Sequence, residues 1–198
     1  MDTKLKYKWN IWYHHEKDNW KLSGYKQLYN IDNANSFWKF YNNWDKVGGV
    51  TNKHFFLMRE DVTPIWEDKN NINGGCWSFK IQEDQADDLW EDLSVYLVCN
   101  ELCPSIVDEI MGLSICLKKN NNTVIKIWNK KVNNYQFIHS CSPRILYCLW
   151  CFACISRKYS LLLPHSCLIN DFSIPTFFAM KLCQLISLLV LYSMPIYQ

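Results

Sequence analysis

Two runs that alternate apolar and polar residues, 113–118 and 123–128, stand either side of Lys119-Asn120-Asn121-Asn122. A period of two sends one face of each run to a core and the other to solvent, and an Asn-rich turn between two such runs predicts an antiparallel hairpin. A chain with such a hairpin must find further strands to pair with its edges. Residues 7–13, aromatic and β-branched, supply one, with Trp9, Ile11 and Tyr13 on one face and Trp12 on the other. Residues 25–31, 54–58 and 77–81 read as three more strands.

Two segments follow the helical period instead. Phe37, Trp38, Tyr41 and Trp44 recur at helical spacing after the capping residues Asp32, Asn33 and Asn35. Residues 84–102 form the second helix: acids crowd its first turns, which suits the dipole, and Leu89, Trp90, Leu93 and Leu97 make its apolar stripe. Gly48-Gly49 punctuates the chain between helix and strand.

A polar loop joins the strand at 54–58 to the one at 77–81. It holds Pro64-Ile65-Trp66-Glu67-Asp68 and closes with Asn73-Gly74-Gly75-Cys76-Trp77. Pro64 favours an extended or turned approach and the Gly pair marks the far end, so Trp66 sits on a loop with Glu67 beside it. An indole face attracts a flat cationic ring, and the adjacent carboxylate accepts hydrogen bonds from that ring's N–H edge. The alternative is a surface Trp that covers a core edge beside solvated acids. Ten Trp in 198 residues, nine of them at or before Trp128 and lying among charged and Asn-rich segments, favour stacking surfaces in addition to core.

Composition removes other classes. A net charge of +2 gives no bulk attraction to nucleic acid, so recognition has to be local. The first eight residues contain no apolar run, which predicts no secretory signal, a reducing compartment and no disulfide framework among the ten Cys. His14-His15 lack a third ligand, and Cys148, Cys151 and Cys154 lack a second pair, so no metal site is expected. Lys118 and Lys119, at the hairpin turn, read either as phosphate ligands or as solvated charges.

From about residue 135 the composition changes. Residues 135–198 carry six of the ten Cys and only Arg144, Arg157, Lys158, Asp171 and Lys181 as charges. The apolar run 182–197 is short for a bilayer span, which needs about 20 residues, so a membrane role is not expected. The tail reads as translated intron or out-of-frame sequence following a domain at 1–134.

Taken together, Trp9-Asn10-Ile11-Trp12, Trp20, Phe37-Trp38-Lys39-Phe40-Tyr41, Pro64-Ile65-Trp66-Glu67-Asp68, Asn73-Gly74-Gly75-Cys76-Trp77 and Ile125-Lys126-Ile127-Trp128-Asn129-Lys130 run in one order over residues 7–131. That pattern resembles the eukaryotic translation initiation factor 4E family, which binds the 5′ cap of messenger RNA. The resemblance implies an α+β single domain, a strongly curved antiparallel β-sheet with helices packed on the convex face and the cap slot in the concave face. It implies that Trp20 and Trp66 sandwich 7-methylguanine, that Glu67 accepts from its N1 and N2 protons, and that Trp128 touches the N7-methyl group. Lys118 falls on the phosphate-binding position, with Lys119 beside it. Trp38 matches the dorsal Trp that receives a Tyr-x-x-x-x-Leu-apolar helix from the scaffold factor 4G or a 4E-binding repressor, and Val95 lines the same patch.

The resemblance thus implies a cytoplasmic, non-enzymatic cap-binding factor in translation initiation, with capped mRNA as partner and no cofactor. The sequence departs from the family at Cys76, where Arg or Lys is usual, and at Thr123 or Val124, where a second basic ligand is usual. It lacks the initial His-Pro pair, and the C-terminal elements have no counterpart after about Asn134. These departures imply weaker binding of the phosphates than of the methylated base. They also leave open a cap-impaired or repressor-type homologue acting through its dorsal surface. Trp9 with Trp20 is similar to the translation-promoting class, and Ile127-Trp128-Asn129-Lys130 to the repressor class.

Overall fold

Aromatic and β-branched residues at alternate positions build six of the strands of one antiparallel sheet. They are β1 (Lys4–His14), β2 (Tyr25–Asn33), β3 (His54–Arg59), β4 (Gly75–Gln82), β5 (Ile110–Lys118) and β6 (Asn122–Asn129), with a two-residue β7 (Cys154–Ile155). The order across the sheet is β2-β1-β3-β5-β6-β4-β7. The computed structural model describes residues 3–16, 18–50, 54–118, 122–131 and 154–155. The chain divides into two units, Met1–Lys158 and Tyr159–Gln198, and every described element lies in the first. The sequence readings for Lys119 and for most of residues 135–198, including the apolar run 182–197, lie outside the described residues.

Period two sorts the side chains into two cores. Trp9 and Ile11 of β1, Phe55 and Leu57 of β3, Leu113 and Ile115 of β5, Ile125 and Ile127 of β6, and Phe79 and Ile81 of β4 all point to one face. The helices α1 (Ala34–Tyr41) and α2 (Ala86–Val98) cover that face with Phe37, Phe40, Tyr41, Leu89, Trp90, Leu93 and Leu97. A smaller cluster lies on the other face: Phe56, Met58 and Trp128 at the intervening positions, joined by Tyr25 and Met111 beyond register shifts and by Val62, with Trp12 and Ile65 packed against it. Buried Asn10 fits this side because its Oδ1 accepts from Gln27 Nε2 at 3.0 Å and Asn30 Nδ2 at 2.9 Å. Register shifts between β1 and β2 at Lys4/Trp9 and Ile11/Trp12 add local bend and twist to the curved sheet.

Both helices are shorter than their periodicity predicts. α1 begins at an Asn33 cap, where Asn33 and Ser36 satisfy each other's backbone N–H groups as a capping box. It ends at Tyr41, because Asn43 turns its side chain back onto the Lys39 carbonyl at 2.7 Å. Trp44 consequently falls in a separate 3-10 turn, Trp44–Val47, where its Nε1 donates to Asp87 Oδ1 at 2.6 Å. α2 is preceded by a 3-10 turn at Glu83–Gln85 and stops at Val98. Asn100 takes a φ of 63°, and the Glu101 and Leu102 N–H groups both return to the Tyr96 carbonyl, closing the helix before Leu102. Among the described residues no helix is long and apolar enough to cross a membrane.

Candidate functional site on the concave face

The face left free by the helices carries the two most exposed indoles among the described residues, Trp20 at 57% and Trp66 at 46%. Each stands on a loop fixed by its own polar contacts. After β1 the chain turns through residues 15–24, and Asn19 organises the turn. Its Nδ2 donates to Glu16 Oε2 at 2.7 Å and to Ser23 Oγ at 3.0 Å, while its Oδ1 accepts from Lys21 N at 3.1 Å. The return works only with glycine at 24: a Cβ there would stand 2.0 Å from the Asn19 carbonyl oxygen. Trp20 is then laid on His14, the rings 4.3 Å apart and 16° from parallel, with His14 Nε2 2.7 Å from the Asn19 carbonyl oxygen.

The second loop is held by Asp68 and Asn71. Asp68 Oδ2 accepts from Thr63 N at 2.9 Å and Thr63 Oγ1 at 2.7 Å, and its Oδ1 accepts from Asn70 N at 2.8 Å. Partial burial alone would raise this carboxyl, but those three bonds, helped by Lys69, hold it below the ordinary Asp value. Asn71 Nδ2 donates to the carbonyls of Thr63 at 3.0 Å and Ile65 at 2.8 Å. The loop rejoins the sheet at Gly74, where a Cβ would lie 2.0 Å from the Asn129 carbonyl oxygen. Of the two adjacent acids, Asp68 is thus a brace within the loop, and Glu67 is exposed.

Between the indoles the floor is aromatic. Trp20 stacks on His14; His14 meets Tyr25 at 4.7 Å, Tyr25 meets Phe56 at 5.4 Å, Phe56 meets Trp128 at 6.2 Å, and Trp128 stacks under Trp66 at 4.1 Å. Burial raises the Tyr25 hydroxyl to about 12, and the Glu67 carboxylate adds to the shift, which puts Glu67 within electrostatic reach of the floor. Trp128 is a buried strand residue, 3% exposed, and not the loop-edge group that its position at the end of a run suggests; its Nε1 donates to Ser114 Oγ at 3.0 Å. His54 sits below the same face. Burial, followed by Lys118, Lys126 and His14, pushes its pKa down to about 3, so it is neutral.

Lys118 ends β5 on this face and is exposed. Thr123 is buried and points to the helix side, whereas Val124 is half-buried on the concave side, so neither supplies a cation. Sequence reasoning passed over Lys126, whose Nζ lies 5.9 Å from the Trp66 ring centre, and His14 beneath Trp20. Parity was the available signal: Lys126 is two residues from Trp128, and His14 is two from Trp12. On the opposite face, Trp38 of α1 and Val95 of α2 are both half-buried against the helix-side core. Among the described residues no three His, Cys, Asp or Glu gather as metal ligands.

Fold and site together define a helix-backed, curved antiparallel sheet whose open face presents two indoles over an aromatic floor. The chain belongs to the Eukaryotic initiation factor 4E family, whose profile matches residues 4–150. It is 28% identical over 144 residues to Arabidopsis thaliana eukaryotic translation initiation factor NCBP, covering 69% of this chain and 63% of the relative. It is 24% identical over 152 residues to the Dictyostelium discoideum initiation factor 4E, covering 72% of this chain and 59% of that protein. The chain therefore spans under two thirds of each of these two curated relatives. In fold it is similar to Ascaris suum eIF4E-3 solved with m7G cap, with a TM-score of 0.62, 22% identity and coverage of 71% and 80% of the two chains. A schistosome eIF4E complexed with m7GpppG and 4E-BP gives a TM-score of 0.66 at 20% identity, covering 76% and 84%.

Proposed function

We propose that this chain binds the 7-methylguanosine cap of messenger RNA on its concave face and acts, without catalysis, in translation initiation in the cytoplasm. The observation that carries the reading is the aromatic path from Trp20 to Trp66, open to solvent at both indoles, with Glu67 beside it. Methylation at N7 makes the purine cationic, so two indole faces add cation–π attraction to stacking. Glu67 accepts from the N1 and N2 protons of the base and offsets its charge. Trp128 backs the slot at the methyl group, and Lys118 with Lys119 meets the phosphates.

The family assignment supports this, as do relatives solved with m7G cap and with m7GpppG. The half-buried Trp38 and Val95 form the dorsal patch for a Tyr-x-x-x-x-Leu-apolar helix, of the scaffold 4G or a 4E-binding repressor. Relatives solved with 4E-BP and with Mextli support that partner class. Titrating Trp fluorescence with 7-methyl-GTP and with GTP tests the cap reading. Saturable quenching that needs the methyl group is expected; equal responses from a folded chain would sink it.

A further inference from the structure

The strand register distributes the lysines of the concave face in an ordered way. Across β5, β6 and β4 the row nearest Trp66 is Gly112, Trp128 and Cys76. The next row is Ser114, Lys126 and Ser78; then come Cys116, Val124 and Lys80; then Lys118, Asn122 and Gln82. Each row beyond Trp128 therefore contains one lysine, on β6, then β4, then β5. Rows of the same face lie about 6.8 Å apart and neighbouring strands about 4.8 Å, so the three cations form a continuous strip. It leads away from the Trp66–Trp128 stack and past the row of His54, on whose strand neighbour His14 the Trp20 ring is stacked. Among the described residues no carboxylate pairs with any of the three.

We propose that Lys126 is the phosphate ligand nearest the base slot, and that with Lys80 and Lys118 it forms a track along which the polyphosphate of a capped nucleotide runs. This rests on the cap-binding reading above, and it assigns phosphate recognition to two residues outside the β5–β6 turn. The Lys126 ammonium occupies the face of Trp66 at 5.9 Å, the distance limit of a cation–π contact. A cationic base stacking on Trp66 competes for that face and repels the ammonium. The ammonium is then free to turn toward the phosphates that arrive with the base. Buried His54 beneath the strip is held neutral by desolvation first and then by Lys118, Lys126 and His14, so the strip's charge comes from its lysines.

The test compares wild type, K126Q, K126R, K80Q and K118Q against 7-methylguanosine and its mono-, di- and triphosphate. Wild-type affinity should climb with each added phosphate. K126Q should remove about tenfold from the gain given by the first phosphates, the size of one charge-assisted hydrogen bond, and leave the nucleoside unchanged or slightly tighter. K126R should restore the gain, and K80Q should act chiefly on the longer phosphates. An equal loss for nucleoside and triphosphate in K126Q, or no loss in either, overturns the track. If methylated nucleoside itself fails to bind, the cap reading fails, and inorganic triphosphate becomes the probe. Its binding, weakened by K126Q, would keep the track as an anion site, and its absence would end the proposal.

Discussion

Trp66 lies face to face on Trp128, ring centres 4.1 Å apart and planes 28° from parallel. One of the pair is 46% exposed and the other 3%, so a single stack joins a solvent-facing indole to the buried floor. The two rings should respond differently to change. Trp66→Ala should leave stability nearly intact and weaken a stacked base by about 1–3 kcal/mol, or roughly 5- to 150-fold in Kd. Trp128→Phe retains a stacking ring but removes the donor to buried Ser114, at a stability cost of about 1–3 kcal/mol. Denaturant melts beside cap titrations separate the two. A large loss of stability in Trp66→Ala with unchanged binding would mean the exposed indole only covers the floor.

His54 makes stability depend on pH. In the folded chain it stays neutral down to about 3, whereas in the unfolded chain it takes a proton near 6.5. Between those values the unfolded state holds more protons, so acidification favours unfolding by up to about 1.4 kcal/mol per pH unit. Stability should be full above pH 6.5 and fall steadily toward pH 3. His54→Gln should flatten that part of the Tm–pH curve, and an unchanged slope would assign the acid sensitivity to other groups.

The Trp66 loop should be tunable without touching a ligand. Asp68→Ala removes three accepted hydrogen bonds, and about 1–2 kcal/mol of local order with them. Gly74→Ala forces a Cβ against the Asn129 carbonyl and should cost about 2–3 kcal/mol. Both variants should be cleaved faster by protease within residues 60–74 and should bind the cap analogue more weakly. Normal protection and affinity in Asp68→Ala would show that Asn71 alone holds the loop.

Dorsal recognition should separate from the slot. Trp38 is half-buried beside Phe37 at 5.1 Å, on the face opposite Trp66. Trp38→Ala is expected to weaken a Tyr-x-x-x-x-Leu-apolar peptide roughly thirtyfold, as loss of an aromatic anchor does, and to leave cap quenching unchanged. Calorimetry with peptide and cap analogue in turn reads both. Parallel losses would mean the variant had loosened the domain.

What the sequence determined by itself was whatever depends on neighbours along the chain. Strand parity put Trp9 and Ile11 opposite Trp12, the 3.6 period found both helices, and the Asn-flanked runs gave the β5–β6 hairpin. Helix ends were less legible, because Asn43 and Asn100 stop α1 and α2 through side-chain and backbone geometry that periodicity does not encode. The family resemblance carried by Trp20, Trp66 and Glu67 nominated them as the proposed recognition groups. It could not reveal that Asp68 is taken up by Thr63, that Trp128 lies buried under Trp66, or that His14 supports Trp20. Those are contacts between strands and loops distant in sequence, fixed by pairing register and by which glycine can meet which carbonyl. The lysine strip has the same origin: Lys80, Lys118 and Lys126 are unremarkable in the sequence, and only the register of β5, β6 and β4 puts them in successive rows beside the indoles.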